Sequence, residues 1–109
     1  MAYTADHFES EPTRADIDAL AGPVLVEFGA PWCPHCHAVQ PALVKLLAQH
    51  PDVTHVKIYD GPGEPLGRSF GVKLWPNLVF MRDGKMLRQL ARPTDGEIDA
   101  AFRTFTDEK

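Results

Sequence analysis

The 109-residue sequence predicts an α/β domain, a central mixed β-sheet flanked by helices on both faces. Three observations predict it. Strand-like and helix-like patterns follow one another as β, α, β, α, β, then a loop, a hairpin and a terminal helix, an order that implies a mixed sheet. The apolar, β-branched run Val24-Leu25-Val26-Glu27-Phe28 reads as a buried strand. After it, Val39, Leu43, Leu46 and Leu47 recur at the spacing of one helical face.

Each element has its own signal. Ala2-Tyr3-Thr4 is a weak strand candidate, and the polar stretch behind it, to Glu11, reads as an edge segment. Thr13 with Asp16 looks like an N-cap and acidic first turn, and Ile17 and Leu20 give a short helix its apolar side until Gly22-Pro23 stops it. Strand 23–28 and a long helix over 34–49 follow, with Pro41 inside that helix predicting a kink. Pro51 breaks the helix, and Val53 to Tyr59 alternates as a second central strand. Asp60 to Gly67, dense in Gly and Pro, is a loop leading into a short helix at 65–70. Asn77 to Met81 is an apolar strand, Asp83-Gly84 a two-residue hairpin turn, and Lys85 to Ala91 its antiparallel partner. Thr94 pairs with Glu97 as a capping box, and Ile98, Ala101, Phe102 and Phe105 line one face of the last helix.

Composition narrows the function classes. With 44% hydrophobic residues the chain is expected to form one domain over residues 1–109, burying roughly two thirds of its unfolded surface without a disulfide staple. The net charge of −4 comes from 15 acidic and 11 basic residues that are interspersed, which argues against nucleic acid as a partner. Apolar runs such as Leu78-Val79-Phe80-Met81 are far short of a membrane span, so no membrane association is expected. The acidic stretch from Met1 to Leu20 has neither a basic nor an apolar leader region, and the expectation is a cytoplasmic monomer.

Both cysteines of the chain lie in Pro31-Trp32-Cys33-Pro34-His35-Cys36-His37, where a strand gives way to a helix. In a reducing compartment such a pair is more often catalytic or metal-binding than structural. The first helical turn leaves backbone N–H groups unpaired and carries a positive partial charge, so it favours a thiolate at Cys33. Pro34 suits the first helical position, and His35, when protonated, adds positive charge beside the sulfur. Cys36 falls about one turn on, within disulfide reach. This is the layout of a thiol–disulfide exchange device. Other readings fit the same residues: a small buried cysteine pair, half a zinc site, or a haem attachment motif Cys33-x-x-Cys36-His37. His37 is otherwise a surface position of the first turn, and His7, His50 and His55 show no ligand spacing and read as surface residues.

Together these residues resemble the thioredoxin family over nearly the whole chain. The resemblance is carried by strand 24–28 running into Ala30-Pro31-Trp32-Cys33-x-x-Cys36, by Pro41 inside the helix, by Phe70-Gly71-Val72 followed at Pro76 by a proline and a strand, and by the hairpin Phe80 to Lys85. It implies the thioredoxin fold, with Cys33 as the exposed nucleophile and Cys36 as the resolving thiol. Glu27 stands at the position of the family's buried aspartate, one methylene longer. Burial would raise its pKa and let it take the proton of Cys36, with Lys57 as its partner; the bland alternative has Glu27 reaching the sheet edge. Pro76 is implied to be cis, turning the Trp75 backbone toward the sulfurs as a donor and acceptor for an extended substrate strand, with Trp32 and Trp75 as an apolar rim.

The implied activity is a protein disulfide oxidoreductase with no cofactor or metal beyond the Cys33–Cys36 couple, acting on disulfide-containing proteins and fed by a thioredoxin reductase. Pro34-His35 resembles the dipeptide of the periplasmic disulfide-forming oxidases, where typical thioredoxins have Gly-Pro, and so implies a raised potential. Gly29 stands where thioredoxins commonly carry a second tryptophan, and Trp75 is bulkier than the residue usual there. A redox-inert binding module on the same fold, or a metal or haem carrier, are the competing functions.

Overall fold

Among the described residues the chain forms α1 (Arg14–Asp18), β1 (Pro23–Gly29), α2 (Pro34–Gln49), β2 (Thr54–Tyr59), α3 (Pro65–Ser69), β3 (Asn77–Arg82), β4 (Lys85–Ala91) and α4 (Asp95–Thr106). The computed structural model describes residues 6–7, 11–61 and 63–106, and the strand candidate at Ala2-Tyr3-Thr4 lies outside them. β1 is buried at every position because it has a neighbour on each side. It runs parallel to β2 and antiparallel to β3, β3 pairs antiparallel with β4, and the order β2-β1-β3-β4 is the expected mixed sheet.

The connections follow from the pairing. Parallel strands need a crossover, which α2 supplies, and antiparallel β3 and β4 need only a tight turn. That turn is Asp83-Gly84, with φ of 51° and 83°, the left-handed conformation a two-residue hairpin asks of both central residues. α2 continues through Pro41 without ending, because Val39, Leu43, Leu46 and Leu47 keep its apolar side against the sheet.

Strand alternation sorts the side chains onto two faces. On one, Leu25, Leu78 and Phe80 meet the apolar stripes of α2 and α4; on the other, Val26, Phe28, Ile58 and Val79 meet Ile17 of α1 with Leu66 and Phe70 at α3. Helices thus cover both faces. The expected N-cap at Thr13 forms as a full capping box: Thr13 Oγ1 accepts the Asp16 N–H at 3.1 Å while the Asp16 carboxylate accepts the Thr13 N–H at 3.0 Å. Thr94 and Glu97 exchange the same two bonds at 3.2 and 2.8 Å. Fixed in this way, the carboxyl end of β1 and the amino end of α2 are separated only by residues 30–33.

The aromatic cluster of α4 sets the stability of this layer. Phe102 is fully buried, with its ring edge-on to Phe80 at 5.6 Å and to Phe105 at 6.0 Å. Phe102→Ala is expected to lower the free energy of unfolding by about 3–5 kcal/mol, measured by denaturant titration. Leu87→Ala on the exposed edge strand β4 should change it by less than about 0.5 kcal/mol. Equal losses in the two variants would contradict the assigned core.

Candidate active site

Cys33 is the N-cap of α2. Its backbone is extended (φ −79°, ψ 116°), and its Sγ accepts the N–H of Cys36 at 3.2 Å, the place a capping oxygen ordinarily takes. A charge on that sulfur would strengthen the bond and meet the positive end of the helix. Pro34 occupies the first helical turn, where its missing N–H costs nothing, and His35 beside it is exposed. His37 is exposed as expected, and its ring N–H donates to the Pro31 carbonyl.

Both cysteines are free thiols, and neither is open to solvent in the way the resemblance implied for Cys33. Cys33 is 6% exposed and Cys36 3%, because Ala30, Tyr59 and Trp75 pack around them.

Cys36 sits one turn into the helix, and its thiol is pushed up to about 12. Burial is the largest cause; the hydrogen bond with Cys33 and the charges of Cys33 and Glu27 add to it, and a backbone hydrogen bond at Ala30 opposes it. Cys36 is therefore a protonated thiol at neutral pH. Gly29 gives it room: a Cβ at that position would lie 2.5 Å from Cys36 Sγ.

Glu27 is buried at 1% exposure, not at the sheet edge, and lies opposite Lys57 in the β1–β2 register. Its Oε1 accepts from Nε2 of His55 at 2.8 Å, and its Oε2 accepts from the Gln40 amide at 2.8 Å. The same amide donates to the Cys36 carbonyl at 2.8 Å, while the Gln40 carbonyl accepts from Lys57 Nζ at 3.1 Å.

Two expectations need correction here. His55 is not a surface residue: it is 4% exposed and its Nε2 donates to the buried carboxylate. Nor is the Glu27 pKa raised. Burial, the largest single effect, does raise it, but the hydrogen bond and charge of His55, the charge of Lys57 and the Gln40 bond together hold it below the ordinary carboxylate value. The signal for His55 was present in the alternation of β2, which puts residues 55 and 57 on the face opposite 54, 56 and 58. Gln40 was likewise placed by its spacing of four from Cys36 on one helix face.

The Trp75–Pro76 bond is cis, as the resemblance implied. Trp75 is partly buried against the cysteines, and its indole N–H donates to Asp60 Oδ2 at 2.9 Å. Its carbonyl, expected to be open to a substrate strand, accepts from Arg92 Nε at 2.9 Å. Trp32 is 64% exposed, with its ring edge-on to Tyr59 at 5.3 Å. A cavity of about 460 Å³ reaches Cys36, Gln40 and Lys57 from the side of His7 and His37. Among the described residues, no group of three or more His, Cys, Asp or Glu is arranged to hold a metal ion.

Comparison with known proteins agrees with this geometry. The Thioredoxin family model matches residues 4–104. The solved structure of thioredoxin 2 from Pseudomonas aeruginosa in its reduced form superposes with a TM-score of 0.85 at 44% identity, covering 98% of this chain and 100% of that one. Thioredoxin 1 of Synechococcus elongatus is 34% identical over 85 residues, which are 77% of this chain and 75% of that protein. Protein disulfide-isomerase A2 of Pongo abelii is 46% identical over 65 residues, 56% of this chain, and the chain spans only 12% of that relative's length. Thioredoxins and protein disulfide-isomerases are disulfide oxidoreductases. The family match runs through the strand end and helix start that hold Cys33 and Cys36, and the chain belongs to the thioredoxin family.

Proposed function

We propose that this chain is a dithiol–disulfide oxidoreductase for protein substrates, with Cys33 as the attacking sulfur and Cys36 as the resolving one. The observation that carries it is the unequal footing of the two sulfurs. Both are buried, but Cys33 caps a helix and accepts an N–H, whereas Cys36 is held protonated up to about 12. The Cys33 thiolate attacks one sulfur of a substrate disulfide, forming a mixed disulfide while the other substrate sulfur leaves as a thiolate and takes a proton. Cys36 then gives its proton to the Glu27 carboxylate and attacks Cys33. The second substrate sulfur leaves, the substrate is reduced by two electrons, and the Cys33–Cys36 disulfide has formed.

Pro34 and His35 are proposed to tune the couple, Lys57 to hold the charge balance at Glu27, and Trp32, Trp75 and Pro76 to receive the substrate strand. An arriving strand that uses the Trp75 carbonyl must displace Arg92 from it. The working form is proposed to be a cytoplasmic monomer, re-reduced by a thioredoxin reductase; a chain with only two cysteines, both in the site, suits a reducing compartment.

The direct test is reduction of insulin with dithiothreitol as donor, which the protein should catalyse; failure would favour a redox-inert binding module. Cys36→Ser should trap client proteins on Cys33, because nothing is left to resolve them. Equal trapping by Cys33→Ser would reverse or remove the assigned roles.

The second expected outcome is the redox poise. Interactions that stabilise the reduced form raise the potential, so the helix terminus with Pro34-His35 should place it at roughly −170 to −230 mV, above the roughly −270 mV of thioredoxin. A rise of about 60 mV needs about 2.8 kcal/mol, within reach of one charge-assisted contact plus the helix end. Equilibration with glutathione buffers gives the value, and replacing Pro34-His35 with Gly-Pro should lower it. A wild-type value at or below about −270 mV would contradict the tuning.

A further inference from the structure

The parallel register of β1 and β2 sets Leu25 opposite His55 and Glu27 opposite Lys57, and alternation turns all four toward the face that α2 covers. The His55 side chain has no solvent exposure and that of Glu27 has 1%, with 2.8 Å between Nε2 and Oε1. The carboxylate is thereby divided. One oxygen belongs to His55, and the other faces Gln40, whose amide also holds the carbonyl of Cys36. Gln40, which joins Glu27 to Cys36, meets the Oε2 edge, and His55 meets the Oε1 edge.

We propose that His55 is a positioning residue for the resolution step: by binding Oε1 of Glu27 on the buried face of the sheet it fixes the carboxylate with its Oε2 edge toward Gln40 and Cys36, where it receives the Cys36 proton. The inference rests on the exchange reaction proposed above and concerns only its second half. There the Cys36 S–H bond breaks and its proton passes to Glu27, the Cys36–Cys33 S–S bond forms, and the bond from Cys33 to the substrate sulfur breaks, with its electron pair leaving on that sulfur.

The groups that act on Glu27 come from each element around it. β2 brings His55 and Lys57, α2 brings Cys36 with Cys33 at its cap, and the described segment 6–7 brings His7 with Asp6 beside it. Of these, His55 both hydrogen-bonds to the carboxylate and, when protonated, opposes its charge. Removing it leaves burial less opposed, so Glu27 would take up its proton at higher pH and the low-pH limb of the resolution rate would move upward.

Stopped-flow mixing of the reduced protein with excess 5,5′-dithiobis(2-nitrobenzoate) reads both halves, since attack by Cys33 releases one thionitrobenzoate and resolution by Cys36 releases the second. From pH 5 to 8, His55→Phe should move the low-pH limb of the second phase upward by about one pH unit or more and leave the first phase unchanged. His55→Gln, which keeps an N–H donor but no charge, should fall between wild type and His55→Phe, and in a Glu27→Gln background His55→Phe should add no shift. A second-phase profile that does not move in folded variants overturns the role of His55. Absence of both phases in the wild-type protein refutes the exchange reaction itself. A second check reads the bond itself: the ring nitrogen resonances of His55 should show its Nε2–H hydrogen-bonded to Glu27 in the reduced protein and should shift in Glu27→Gln, and resonances indifferent to that substitution would overturn the proposal.

Discussion

A carboxylate stands inside a strand that is buried along its whole length, and the protein, not water, has to answer its charge. Glu27 is answered from two directions. β2 supplies His55 and Lys57, and α2 supplies Gln40. A slip of the β1–β2 pairing by one residue would send His55 and Lys57 to the other face of the sheet and leave the carboxylate without either partner. The register of the parallel pair and the seat of α2 are therefore one problem. Gln40 is the joint between them, since a single amide bonds to the strand's carboxylate and to the helix's Cys36 carbonyl.

The reactive pair inherits this arrangement. Three residues of spacing put Cys33 at the helix cap and Cys36 one turn deeper, where burial and the nearby Glu27 charge make loss of its proton costly. Gly29 is what lets the deeper sulfur fit, at the last position of the central strand. On the substrate side the loop after β4 clamps the loop before β3. Arg92, with φ of 47°, donates its N–H to the Pro76 carbonyl at 2.7 Å and its Nε–H to that of Trp75 at 2.9 Å. Asp60 holds the Trp75 indole from the end of β2. The chemistry is thus set from behind by charge and from in front by backbone contacts.

Much of this was legible in the sequence. Local signals gave the long helix at Pro34–Gln49, the hairpin at Asp83-Gly84 and the caps at Thr13 and Thr94, because each depends on residues within a few positions of one another. The second strand begins at Thr54, one residue later than its apolar pattern, since the Val53 N–H is taken by the His50 carbonyl in the preceding turn. The cysteine pair followed from its own spacing at a strand-to-helix junction, and the buried acid and the cis proline through the family resemblance. What did not follow were the partners. His55 has no ligand spacing to mark it, and its bond to Glu27 joins residues 28 apart. The direction of the Glu27 pKa depends on those same partners, so burial alone gave the wrong sign. The Arg92 bond to Trp75 spans 17 residues across the hairpin and has no local signature.

The unequal state of the two sulfurs is the claim on which the rest turns, and site-resolved alkylation measures it most directly. Reduced protein is exposed to limiting iodoacetamide at neutral pH, digested, and the label on each cysteine counted by mass spectrometry. Cys33 should carry nearly all of it, with Cys36 unlabelled until strongly alkaline solution is reached, as a buried thiol pushed up to about 12 requires. Equal labelling of Cys33 and Cys36 at neutral pH would contradict the account.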